Sequence, residues 1–119
     1  MTLRPVSTQE IEMGRYLFIA DYSPSGSKGL LAGGGLARRD VVARAAKSVG
    51  GRLESFDFAF GRHDAFAIVE LPSHTAAAKI AQAINASGSA RVETVVLIDP
   101  AVVEFDDDDR AEYTVPGVR

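Results

Sequence analysis

The sequence contains no cysteine. Disulfides, thiol nucleophiles and zinc–thiolate centres are therefore excluded. It has only two histidines, His63 and His74, and with distant acids they make no recognisable metal site, so no metal is expected. Basic charge is in deficit, with 13 Lys and Arg against 16 Asp and Glu and a net charge of −3. Nucleic-acid binding needs a basic footprint, so no nucleic-acid partner is expected. Long hydrophobic runs are missing as well. No stretch approaches the ~18 apolar residues of a membrane span, and the N-terminus lacks the ~7–15-residue apolar run of a secretory signal. The expectation is a soluble cytoplasmic protein with no membrane partner. Phosphate fingerprints are also lacking. "GSKG" from Gly26 has Lys after Ser, and no G-x-G-x-x-G follows a strand, so no cofactor is expected.

What is present is an ordinary globular composition, 46% hydrophobic and 24% charged over 119 residues. That length gives one domain, able to bury roughly two-thirds of the surface its unfolded chain exposes. Residues 1–14 are polar and weakly patterned, an N-terminal arm. Residues 15–100 carry the periodic patterns. Residues 101–119 form an acidic C-terminal tail, in which Asp106 to Asp109 repel one another and favour solvent.

Between those limits, "RYLFIADY" reads as a strand with apolar residues on both faces. Ser23-Pro24 opens a short helix that ends at the Gly33-Gly34-Gly35 run. A second helix from Leu36 to about Val49 carries the stripe Val42, Ala45, Ala46 and Val49. "GRLESFDFAF" is a strand with Phe56, Phe58 and Phe60 on one face and Leu53, Ser55, Asp57 and Ala59 on the other. A hairpin over Gly61 to Asp64 leads into "AFAIVEL", closed by Pro72. Ser73 caps a helix bearing Ala77, Ile80, Ala81 and Ile84, and "ARVETVVLID" is the last strand.

The order βαββαβ is the ferredoxin-like α+β arrangement, a four-stranded antiparallel sheet with helices on one face. The other face carries apolar residues too, and a bare aromatic face is poorly tolerated in a monomer. Sheet-to-sheet packing of two copies, a dimeric α/β-barrel-type assembly, would cover it. Burying the three phenylalanines would contribute on the order of 5–9 kcal/mol before the entropy of association is counted.

Three features carry candidate chemistry. His63 on a rigid hairpin beside Asp64 has the makings of a general acid/base, with Arg62 or Arg91 as an anion clamp. The same residues make a turn in which Asp64 accepts backbone N–H bonds and His63 is exposed. Phe56, Phe58 and Tyr16, with Phe18 and Phe60, would wall an apolar pocket or fill an interface. The glycine run before Arg38 and Arg39 offers either an anion site or a hinge.

Three stretches resemble a known family. They are "MGRYLFIADYSPSG", "ARRDVVARAAKSVGGRLESFDFAFGRHDAFAIVELPS" and "ASGSARVETVVLI", and together they are similar to the GYD domain family from Met13 to Pro100. The resemblance implies a small oligomeric ferredoxin-like protein and assigns no reaction. The family's G-x-Y-D falls on Gly61, His63 and Asp64, with His63 in the tyrosine position. A phenol titrates near ~10 and an imidazole near ~6.5, so general-base work would not transfer unchanged, whereas hydrogen bonding or stacking would. The expected function is an oligomeric small-molecule-binding or regulatory module taking a small apolar or anionic ligand. Its pocket would lie between the open sheet face, the glycine run and the Arg62–Asp64 hairpin. The alternatives are a cofactorless α/β-barrel enzyme, monooxygenase- or isomerase-like, with His63 as acid/base and Asp64 as its orienter, and a purely structural assembly partner.

Overall fold

The computed structural model describes residues 13–104 and 110–117. Residues 1–12 of the expected arm and the acidic run within 105–109 lie outside the described residues. Strand β1 (Gly14–Tyr22) leads through helices α1 (Pro24–Gly33) and α2 (Gly35–Ser48) to the hairpin β2 (Arg52–Phe58) and β3 (Ala65–Leu71). Helix α3 (His74–Ser87) returns the chain to β4 (Ala90–Leu97), and a short 3-10 turn, Pro100–Val103, follows. The sheet order is β2-β3-β1-β4 with every pairing antiparallel, an α+β fold of ferredoxin-like order.

Local chemistry sets these boundaries. The Ser23 hydroxyl accepts from the Gly26 N–H at 3.1 Å and caps α1, with Pro24 at its first position. Gly26 is buried, and a Cβ there would stand 1.9 Å from the Ser89 carbonyl oxygen, so α1 rests directly on the lead-in to β4. Gly34 has φ of 87°, which breaks the helical run into α1 and α2 as the glycine run implied. The Ser73 hydroxyl caps α3 through the Ala76 N–H at 3.1 Å.

Helices α2 and α3 cover one face. Tyr16 and Phe18 of β1, Ala67, Val69 and Leu71 of β3, Ala46 of α2, and Ala76, Ala77 and Ile80 of α3 form the core. Leu71 and Val69 are wholly buried, each worth about 2 kcal/mol in apolar transfer. Val42 and Val49 of the α2 stripe pack against this core, as do Ala81 and Ile84 of α3.

Two sequence expectations are corrected here. The aromatic stripe is not on the open face. Phe56 is in register with Ala67, which is in register with Phe18, so these rings lie under the helices. Phe60 lies beyond β2 and is fully exposed at the hairpin. The association energy reckoned from three phenylalanines on the open face therefore does not apply. Leu53 also changes sides. A β-bulge between Leu53 and Ser55 inserts Glu54, pairing Leu53 with Val69 and Ser55 with Ile68. The extra residue puts Leu53 on the same face as Phe56, and strict alternation cannot reveal it.

The open face is built from Leu17, Ile19, Phe66, Ile68, Val95 and Leu97, joined across the register. Two ion pairs flank it, Arg15 to Glu54 at 2.9 Å and Arg52 to Glu70 at 2.8 Å.

Candidate functional site

The inner face of the sheet tapers. On β3 it runs from Leu71 and Val69 at one end to Ala67 and Ala65 at the other. Ala20 on β1 and Ala90 on β4 lie toward the same end, and the helices add Ala45 and Ala83. Small side chains facing each other across two layers leave space between them. A cavity of about 300 Å³ fills that space. Its walls include Phe18, Val42, Phe56, Val69, Ile80 and Val92. The volume is at the lower end of the range typical of small-molecule sites.

The polar groups of this cavity are Tyr22, Arg38, Ser87 and Ser89. They gather at the alanine end. Tyr22 pairs with Ala90 across the register, and Ser89 precedes Ala90. The Ser23 N–H donates to the Ser89 carbonyl at 3.0 Å, which ties this end together. Arg38, in the first turns of α2, sets its guanidinium carbon 5.9 Å from the centre of the Tyr22 ring. Its Nε is shut off from solvent and has no hydrogen-bond partner among the described residues. Burial raises the Tyr22 pKa above its ordinary value and nearby Asp64 adds to the rise, while Arg38 opposes it. Tyr22 is thus a neutral phenol at neutral pH, able to donate its O–H.

The residues singled out in the sequence fall into separate groups. Phe56 lines the cavity. Phe58 stands edge-on to Phe56 with ring centroids 5.0 Å apart, and is partly exposed at the sheet edge. Tyr16 is in the core, and its hydroxyl lies 2.6 Å from Nδ1 of His74 at the start of α3. The two residues are 58 apart in sequence, so no local pattern reveals this bond. Asp64 does not pair with His63. Its carboxylate accepts from the Tyr22 N–H at 2.9 Å, its own N–H donates to the Ala20 carbonyl at 3.0 Å, and its carbonyl accepts from the Ala59 N–H at 2.9 Å. Asp64 therefore fastens the hairpin to the end of β1 and fixes the backbone of Tyr22, a cavity residue.

His63 turns to the opposite face. Its Nδ1 lies 3.1 Å from Asp21 Oδ1, and its ring stands edge-on to Phe66. Arg91 is the register partner of Asp21, and Arg62 is exposed on the hairpin. The sheet thus separates the aromatic candidates from His63 and Arg91. Among the described residues, no group of three or more His, Cys, Asp or Glu is placed to hold a metal ion, and no helix is long and apolar enough to cross a membrane.

Sequence reasoning missed the pairing of Tyr22 with Arg38 and the cavity beside them. One signal was available: Ala20, Ala65, Ala67 and Ala90 occupy strand positions, where alanine is depleted. No curated protein matches the chain. A model of the GYD domain matches residues 16–106, from the inner face of β1 past the last strand, with Gly61, His63 and Asp64 inside the match. That match takes in well over half of the 119 residues, and the chain belongs to the GYD domain family.

Proposed function

We propose that the protein is an oligomeric small-molecule-binding module whose ligand sits between the sheet and the α2–α3 layer. The observation that carries this reading is the apolar cavity of about 300 Å³ with its polar groups gathered at one end. An apolar cavity of ~150 Å³ suffices for benzene, so twice that volume suits a compact molecule of about ten to fourteen non-hydrogen atoms. The direct test is native mass spectrometry of protein purified without denaturation, comparing wild type with Ala67→Phe, which fills the cavity from its floor. The reading expects wild type to carry extra mass that the variant lacks. It fails if the two are alike and a ligand-observed NMR screen of small apolar compounds yields no binder sensitive to the substitution.

Assembly is the second part of the proposal. Among the described residues no layer packs over the six apolar residues of the open face, and a second copy packed sheet to sheet would supply one.

A reading of His63 as acid/base retains one observation in its favour. Asp21 stands at hydrogen-bonding distance from Nδ1 and orients the ring. That chemistry would occur on the open face, and His63→Ala distinguishes it by removing turnover while leaving cavity binding intact.

A further inference from the structure

Arg38 is the one cation among the described residues that line the cavity, and a purely hydrophobic ligand would give it no counter-charge. Arg38 Nε is buried without a hydrogen-bond partner among the described residues. A buried orphan donor is unfavourable, and one on a cation more so. The arginine fork matches a carboxylate in shape and charge, with two parallel N–H donors. Tyr22 lies against the same guanidinium, and the remaining polar lining residues, Ser87 and Ser89, lie at that end. The lining residues away from that end, Val69 and Ile80 among them, are apolar.

From this polarity we infer that the ligand is a small monocarboxylate with a compact apolar body, its carboxylate on Arg38 beside Tyr22 and its body among Phe56, Ala67, Val69 and Ile80. The inference rests on the cavity reading above and adds the chemical class of the occupant. A dianion is disfavoured, because Arg38 is the sole cation among the described residues that line the cavity. A longer acyl chain would not fit the volume.

The test uses the full chain, stripped of retained ligand by unfolding and refolding, with matched probes. 3-Phenylpropanoate, 3-cyclohexylpropanoate and octanoate are titrated beside their neutral primary amides, by calorimetry or NMR shift mapping. At least one acid is expected to bind wild type about tenfold or more tightly than its amide. In Arg38→Met that preference collapses, and in Ala67→Phe binding of acid and amide is lost together. If amides bind and the acids bind no better, the carboxylate inference is overturned while the cavity reading stands. If acids outperform amides equally well in Arg38→Met, the anion is held elsewhere and the inference is again overturned. If neither acids nor amides bind wild type, both the inference and the reading beneath it fail.

Discussion

Filling the cavity should stabilise the ligand-free protein, and the sign of the effect is diagnostic. Ala67 lies toward the alanine end of β3, 5% exposed, with Phe56 and Phe18 as cross-strand neighbours and the cavity above it. Ala67→Leu adds three carbon atoms. Buried in existing space they contribute about 2 kcal/mol at ~0.8 kcal/mol per methylene. Fixing the leucine rotamer costs about 0.5–1 kcal/mol, so the net gain is about 1–2 kcal/mol. For a chain of 119 residues, at ~2.1 cal/mol/K of unfolding entropy per residue, that is a rise in Tm of roughly 4–8 °C. Were the space already packed, the same change would force side chains off their rotamers and cost about 1–3 kcal/mol. Urea unfolding followed by far-UV circular dichroism, on ligand-stripped protein at fixed concentration, separates the two outcomes. Loss of stability in Ala67→Leu would refute the argument that the alanine end of the sheet leaves usable space.

Arg38→Met should make the ligand-free protein more stable by about 1 kcal/mol, since it removes a buried unpartnered donor; an unchanged or lowered urea midpoint contradicts the orphan assignment. Asp64→Ala should cost about 1–3 kcal/mol, because the Tyr22 N–H loses a charged acceptor, and backbone amide shifts should concentrate at Tyr22 and the hairpin. The sheet-packing proposal expects wild type to be a dimer or larger in light scattering and Ile68→Glu, at the centre of the open face, to be a folded monomer; an unchanged mass removes the proposal. Burial raises the pKa of both Tyr22 and Tyr16. On folding they hold their protons more tightly than the unfolded chain does, so their contribution is complete below ~10 and is lost as pH rises through the folded values. Stability should therefore fall above pH ~10, and Tyr22→Phe should flatten that fall.

Much of the fold was legible because its signals are local. Ser23-Pro24, Gly34, Ser73 and Gly88 act on their immediate neighbours, and each stops or starts an element where its chemistry requires. The order of elements followed from those stops. The choice of sheet face was not legible. β1 and β3 are apolar on both sides, so alternation alone does not say which side the helices take. The β-bulge at Glu54 hid the position of Leu53 for the same reason, since it changes register without changing composition.

The site was less legible than the fold. The partner of His63 is Asp21, 42 residues away in sequence, while the adjacent Asp64 serves the backbone of β1. Proximity in sequence suggested a pair that the hairpin geometry divides between two faces. Arg38 was visible only as part of a possible anion site at the glycine run. Its significance comes from the cavity beside it, which exists because alanines from three strands and two helices meet. Asp64 connects the two levels. Asp64 anchors the backbone of Tyr22, the residue that faces Arg38, which gives it a structural role toward the cavity.

The most direct measurement is the set of intermolecular NOEs between bound 3-phenylpropanoate and the methyl groups of the protein. The account predicts contacts to Ala67, Val69 and Ile80, on the helix-covered face. Contacts confined to Leu17, Ile19 and Ile68, on the open face, would contradict it.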